Sequence, residues 1–231
     1  MQEWPEAIIW DLDGTLVDSV PGIAQALNSL LRENGHAALE EDVVRSMIGN
    51  GVARLVERGF TTAGQRPDEE TLSALVQRFM LFYSKCLTER VQLYPGVREI
   101  LGYCATAGIR QGICTNKPAA PTDVILEHFT IRSHFDVVVG GDTANAKKPD
   151  PLPLQFCLDA LNVAASDCLM IGDSAVDVAT ARAIGMPVAV VCHGYANAPV
   201  TSLGADFIIS DLSQLFFHID GGSDQLSANG P

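Results

Sequence analysis

From residue 92 onward the chain alternates short, uninterrupted apolar runs with stretches of helical periodicity, and few architectures accept that pattern. The runs are too short to be helices, and they lack the polar and apolar alternation of a sheet with one wet face. Such runs suit strands covered on both sides, and strands alternating with helices build a parallel sheet. The predicted class is therefore α/β, with a doubly wound parallel sheet. Strands are expected at Ala7–Trp10, Gln111–Cys114, Val137–Val139, Cys168–Ile171, Val188–Cys192 and Phe207–Ile209, and helices starting near Pro95, Thr122, Pro151, Ala175 and Leu212.

The stretch between the first strand and residue 91 obeys a different rule. Ile23, Leu27, Leu30 and Leu31 share one helical face, and Leu72, Leu75, Val76, Phe79, Phe82, Tyr83 and Cys86 share another. Shorter helical pieces around Asp42–Ile48 and Val52–Phe60 are separated by Gly49-Asn50-Gly51, which favours a turn. No strand is expected between these pieces. The spacing predicts an all-helical insertion over 16–91 within an α/β core formed by 1–15 and 92–220; the alternative is that these helices pack as part of the main domain. The end, 221–231, is rich in Gly, Ser and Asp and is expected to be a flexible tail.

Charge limits the partners. The chain has 28 acidic against 15 basic residues and a net charge of −13, which leaves no diffuse basic surface for nucleic acid or anionic lipid. An anionic substrate must then be drawn by local devices: a metal ion, helix N-termini or a few placed Lys and Arg. No apolar run approaches the roughly 20 residues of a membrane span, and the acids near the start leave no room for a removable signal peptide, so a cytoplasmic protein is expected. The cysteines (Cys86, Cys104, Cys114, Cys157, Cys168 and Cys192) form no CxxC pair or zinc-like spacing and read as reduced core thiols.

In a doubly wound sheet, ligands bind outside the carboxyl ends of the strands, so the polar residues that follow the apolar runs carry the most information. The first run ends in Asp11-Leu12-Asp13-Gly14-Thr15, where extended geometry turns both acids one way and Leu12 toward the core, while Gly14 permits a tight turn. A second ends in Thr115-Asn116-Lys117, a third stretch reads Lys147-Lys148-Pro149-Asp150-Pro151, and a fourth reads Gly172-Asp173-Ser174-Ala175-Val176-Asp177. Each has a structural alternative: a turn or helix cap for Thr115-Asn116, a solvated loop for the lysines, and N-capping with a favourable helix-dipole position for the last acids. Together they would gather four acids, a lysine and a hydroxyl at one sheet edge.

Clustered carboxylates repel one another unless a cation sits among them, and ligation by oxygen alone favours Mg²⁺ over zinc. With that charge neutralised, one aspartate could attack phosphorus and form an aspartyl-phosphate, while a second manages protons on the leaving oxygen and the attacking water. A lysine and a hydroxyl would stabilise the equatorial oxygens of the transferring group.

The run Asp-x-Asp-Gly-Thr-Leu-Val-Asp-Ser from Asp11, followed by Thr115-Asn116, Lys148-Pro149-x-Pro151 and Gly172-Asp173-x-x-x-Asp177, resembles the haloacid dehalogenase-like superfamily. The resemblance implies a Rossmann-like core with a small helical cap, Asp11 as nucleophile, Asp13 as general acid and base, and Lys148 orienting nucleophile and phosphate. It implies phosphate binding by Thr115 and the Asn116 backbone, and Mg²⁺ held by the Asp11 carboxylate, the Asp13 carbonyl and Asp173, supported by Asp177. An acid at position 13 disfavours dehalogenase and phosphonoacetaldehyde hydrolase chemistry. Trp10 stands where the superfamily more usually has an aliphatic residue or Phe. Within the superfamily, Ile48-Gly49-Asn50-Gly51, Tyr94-Pro95-Gly96-Val97, Gly172-Asp173-Ser174 and His193-Gly194-Tyr195 are similar to the phosphoglycolate phosphatases, so 2-phosphoglycolate or a similar small ester is the expected substrate.

The carboxylate of such a substrate needs a cation, and Arg45 is the preferred candidate over Arg54 and Arg58. Asp18 and Ser19 are expected to cap the first inserted helix or shape its hinge, and His193 and Tyr195 to anchor a loop or contact substrate. The alternatives are a phosphomutase, a phosphatase of sugar phosphates or nucleotides, and a non-catalytic phosphate-binding regulator. The assembly is left as monomer or homodimer.

Overall fold

A computed structural model describes residues 5–219; the segment expected to be a tail lies outside them. The strands are β1 (Ala7–Trp10), β2 (Val17–Asp18), β3 (Gln92–Leu93), β4 (Arg110–Cys114), β5 (Val137–Val139), β6 (Cys168–Gly172), β7 (Val188–Val191) and β8 (Phe207–Ile209). The main sheet has six strands in the order β5-β4-β1-β6-β7-β8. All its neighbours pair in parallel. The chain winds outward from β1 through β4 to β5, then returns to the other side of β1 at β6. The carboxyl ends of β1, β4 and β6 therefore flank the switch point where such sheets hold their ligands. Trp10 lies opposite both Ile113 and Ile171, a register that sets Thr115 and Asp173 one residue beyond the level of Asp11 at the same edge.

Residues of β1 feed two cores because successive side chains point to opposite faces. Ala7 and Ile9 join one apolar cluster, while Ile8, Trp10 and the following Leu12 join another. The buried Trp10 donates its indole N–H to Gln111 Oε1 at 3.3 Å, and Gln111 Nε2 donates onward to the Leu101 carbonyl at 3.0 Å. The unusual tryptophan is thus matched by a buried glutamine that satisfies its one polar atom.

Between β2 and β3 lie α1 (Val20–Glu33), α2 (Glu41–Arg45), α3 (Val52–Thr62) and α4 (Glu69–Cys86). The face expected of α1 is buried: Leu27, Leu30 and Leu31 are fully enclosed and Ile23 nearly so. On α4, Leu75, Phe79, Tyr83 and Cys86 are buried, while Leu72, Val76 and Phe82 pack at the margin. Asp68 caps α4 by accepting the Thr71 N–H at 2.8 Å. The helices of the main domain are α5 (Val97–Thr106), α6 (Ala119–His128), α7 (Leu152–Leu161), α8 (Ala175–Arg182) and α9 (Gln214–Ile219).

Three details depart from expectation. The helix placed at Thr122 begins at Ala119, and Thr122 instead returns its hydroxyl to the Pro118 carbonyl. The helix expected over Asp42–Ile48 stops at Arg45, where the chain starts toward the Gly49 turn. A two-stranded antiparallel ribbon, β2 with β3, joins the helical unit to the sheet, although no strand was expected beside the insertion. Two residues per strand are too few for a period to show in the sequence. No helix among the described residues is long and apolar enough to cross a membrane.

Leu27 meets α3 at Gly59, where a Cβ would lie 2.9 Å from Leu27 Cδ1, so the contact has no spare room. Leu27→Ala is expected to lower the unfolding free energy by about 2–5 kcal/mol, read from urea denaturation followed by circular dichroism.

Candidate active site

Pairing of β1 with β6 continues one residue past the strand, where the Asp11 N–H donates to the Ile171 carbonyl at 2.8 Å. The chain then turns sharply: the Leu12 carbonyl accepts from the amides of Thr15, Leu16 and Val17 at 3.2, 2.9 and 3.1 Å. Gly14 makes the turn possible at φ +85°, and a Cβ there would collide with the Asp173 carboxylate. Gly194 packs against Asp173 from the other side just as closely.

The turn sends the two acids of the first motif to different partners. Asp11 faces Lys148, whose Nζ lies 3.1 Å from Asp11 Oδ1 and 2.6 Å from Asp177 Oδ1. The contact to Asp11 is an ion pair without hydrogen-bond geometry, so Asp11 Oδ1 stays buried with no hydrogen bond. Burial pushes the Asp11 carboxyl up to about 6, with Lys148 opposing and Asp177 adding to the rise. Burial, Asp177 and Asp11 likewise hold Asp173 well above the ordinary carboxylate range. Burial would lower Lys148, but the carboxylates of Asp11 and Asp177 outweigh it and keep the ammonium charged.

Asp11, Asp173 and Asp177 each present an oxygen within 4.8 Å of the others. Asp177 is already saturated, since its Oδ2 accepts from the amides of Asp173 and Ser174 at 3.2 and 3.1 Å and from the Ser174 hydroxyl at 2.7 Å. Asp173 spends Oδ2 on the Tyr195 amide. The remaining acceptors are the orphaned Asp11 Oδ1 and the other Asp173 oxygen. One ammonium among three carboxylates leaves an excess of negative charge, and the open donors are all hard oxygens, so the cluster fits a divalent cation.

Comparisons with known proteins agree with this geometry. The family described as haloacid dehalogenase-like hydrolase matches residues 8–191. This chain belongs to that family. It is 44% identical over 215 residues to the phosphoglycolate phosphatase of Rhodospirillum rubrum, covering 91% of this chain and 89% of the relative. The Caulobacter vibrioides phosphoglycolate phosphatase is 40% identical over 202 residues, with 87% and 85% covered. A crystal structure of a Haemophilus somnus protein described as a predicted phosphoglycolate phosphatase superposes with a TM-score of 0.86 at 30% identity, covering 91% of this chain and 96% of that one. The chain is accordingly a phosphatase of the haloacid dehalogenase type.

The other residues singled out in the sequence fall into two groups in this phosphatase. Thr115 and Asn116 join Asp11 and Asp13 in lining one cavity, roofed by the helical unit. The Thr115 hydroxyl accepts the Lys117 amide at 3.2 Å, and Asn116 Nδ2 donates to the Lys148 carbonyl at 2.9 Å and to Gly49 of the helical unit at 3.0 Å. Arg45 is not brought there. Its guanidinium sits 3.8 Å from Asp18 and 5.3 Å from the Tyr195 ring centre, outside the lining of that cavity. Arg54 pairs with Glu57, and Arg58 binds the Met47 carbonyl and Asn50 Oδ1.

Of the two roles expected of it, Ser19 makes contacts at the hinge rather than a cap. Its hydroxyl caps nothing and instead donates to Asp13 Oδ1 at 2.7 Å, while Asp18 Oδ1 accepts the Val20 amide at 3.2 Å. Tyr195 takes the Ser19 amide on its hydroxyl at 2.9 Å, and His193 Nε2 lies 3.1 Å from the Thr15 carbonyl, so that loop anchors the hinge. Two residues without an assigned role prove central. Lys117 Nζ lies 3.0 Å from both Asp13 oxygens and also donates to the Tyr83 hydroxyl on α4. The lysine was visible beside Thr115-Asn116, and a Tyr on a buried face usually finds a partner for its oxygen.

A raised Asp11 pKa means that the folded chain binds more protons than the unfolded chain between pH 3.8 and about 6, so without metal this group's contribution to stability is lost as pH rises through that window. In EDTA, the Tm of the wild type relative to Asp11→Asn is expected to decline from pH 4 to pH 6. At pH 7.5, millimolar Mg²⁺ is expected to raise the wild-type Tm, and Asp173→Asn to remove that rise, both read by scanning calorimetry.

Proposed function

We propose that this phosphatase hydrolyses 2-phosphoglycolate with Mg²⁺, through an aspartyl-phosphate on Asp11. The observation that carries the reading is one cavity in which Asp11, Asp13 and Thr115 stand together while Lys148 and the Asp173 cluster back the nucleophile. Relatives 44% and 40% identical that are named phosphoglycolate phosphatase support the choice of substrate.

In this mechanism an Asp11 oxygen attacks phosphorus while the bond from phosphorus to the leaving oxygen breaks. Asp13 gives that oxygen its proton as it departs as glycolate. The ionised Asp13 then takes a proton from a water that attacks phosphorus, the Asp11 acyl-phosphate bond breaks, and inorganic phosphate leaves with Asp11 restored. Lys148, the Thr115 hydroxyl and the Asn116 amide bind the equatorial oxygens, where charge is spread in the transition state. Asp11, Asp173 and the Asp13 carbonyl would hold Mg²⁺, which supplies charge neutralisation for the phosphoryl group when bound.

Asp177 acts through Lys148 rather than on the phosphoryl group. Its two bonded oxygens hold the lysine and the start of α8, which keeps the ammonium aimed at Asp11. Lys148 is 4% exposed, so it loses little entropy on meeting phosphate. The helical unit, as a cap bonded to the core through Asn116 and Lys117, keeps bulk water from the leaving-group side.

Release of inorganic phosphate from 2-phosphoglycolate is expected to require Mg²⁺ and to stop in EDTA. Asp11→Asn should be inactive, and Asp13→Asn slower by about 100- to 10,000-fold. Normal turnover by Asp11→Asn would sink the nucleophile assignment.

A further inference from the structure

The cavity beside Asp13 has an apolar ceiling made of Ile23, Ile48, Val52, Leu55 and Phe79. A polyhydroxylated leaving group would find no hydrogen-bond partners there, and each unpaired hydroxyl would cost binding free energy. Among the described residues that line the cavity, the one cation is Lys117. The arginines of the cap are held elsewhere, by Asp18, by Glu57, and by Met47 and Asn50.

We propose that Lys117, together with the Tyr83 hydroxyl, reads the carboxylate of the leaving group and so sets the preference for a short phosphorylated acid. This assignment rests on the phosphoglycolate reading above and names the groups that recognise the substrate's second anion. Its geometry follows from Asp13. To protonate the leaving oxygen, Asp13 must lie beside it, and Lys117 Nζ is 3.0 Å from both Asp13 oxygens. The carboxylate of a two-carbon acid stands only two bonds from that leaving oxygen, on the side away from phosphorus, where the ammonium and α4 are.

The hydrogen count favours exchange. Lys117 has three N–H donors, and their acceptors are the two Asp13 oxygens and the Tyr83 oxygen. The Tyr83 oxygen carries no charge, so an arriving carboxylate, with a full negative charge to set against the ammonium, displaces it as the acceptor of the third N–H. Tyr83 then has its own donor to offer. Its hydroxyl hydrogen has no acceptor among the described residues, and burial pushes its pKa up to about 12, which keeps the hydrogen in place. The ammonium from the core and the hydroxyl from the cap can thus grip one carboxylate between them. Gly51 and Val52, at the start of α3, line the same cavity, and the α3 N-terminus carries no side-chain cap, so its positive end adds to the preference for an anion.

Lys117 also touches Asp13, so loss of activity alone would not separate recognition from positioning. The discriminating quantity is the ratio of kcat/KM for 2-phosphoglycolate to that for ethyl phosphate, an ester of equal chain length without the carboxylate. With the full chain and Mg²⁺, Lys117→Met is expected to lower this ratio about 100-fold and Tyr83→Phe about 10-fold, chiefly through KM for 2-phosphoglycolate. Lys117→Arg is expected to recover part of the ratio, and glycolate is expected to inhibit the wild type competitively but Lys117→Met far less. If Lys117→Met slows both esters by the same factor, the lysine only positions Asp13 and the proposal is overturned, while the phosphatase reading stands. If the wild type releases phosphate from neither ester, the phosphoglycolate reading itself fails. A circular dichroism spectrum matching the wild type qualifies each variant, and for any variant too slow to assay, glycolate binding measured by titration calorimetry takes the place of inhibition, with undiminished binding by Lys117→Met overturning the proposal.

Discussion

Electrostatic crowding at the carboxyl edge of the sheet is the constraint on which the rest of the structure depends. Asp11, Asp173 and Asp177 present oxygens within 4.8 Å of one another, and burial strengthens their repulsion. The fold meets this in three ways. Lys148 bridges Asp11 and Asp177, the start of α8 and the Ser174 hydroxyl absorb the second Asp177 oxygen, and the Tyr195 amide takes one oxygen of Asp173. The acceptors left over are the ones a hard cation would use. Close glycine packing at Gly14 and Gly194 lets the backbone approach Asp173 without a side chain in between.

A second cation serves the other half of the site. Lys148 bridges Asp11 and Asp177, whereas Lys117 ties Asp13 to α4 through Tyr83. Asp13 is held from three directions, by Lys117, by Ser19 and by the turn that follows Leu12. Ser19 sits at the junction of the β2 and β3 ribbon with α1, and Tyr195 reaches that junction from the Asp173 side. Asp13, the junction of the ribbon with α1, and Asp173 are therefore linked through contacts of Ser19 and Tyr195.

Much of the site was legible before any tertiary contact was known. The apolar runs located every strand of the main sheet, because a strand covered on both faces leaves no other pattern. Asp11, Thr115, Lys148 and Asp173 were found by asking which polar residues follow those runs, and the register of Trp10 with Ile113 and Ile171 shows why the question works. Where the Arg45 guanidinium goes was not legible, because charge and proximity in sequence do not reveal direction: it lies beside Asp18 and the Tyr195 ring. Of the two roles open to Ser19, a helix cap or part of the hinge, the fold selects the second, and only the fold brings Asp13 within 2.7 Å of its hydroxyl.

What the sequence by itself determined is local: the periods that make strands and helices, the turn at Gly14, and the acids and lysine that end the apolar runs. These depend on neighbours a few residues away, so the order of residues is enough. What only the tertiary structure decided is which charged groups pair. Lys117 meets Asp13 across 104 positions of sequence and Tyr83 across 34, and Tyr195 meets Ser19 across 176. No period or spacing encodes such pairings, because they follow from how the cap is set over the sheet and from the need of each buried charge or hydroxyl to find a partner.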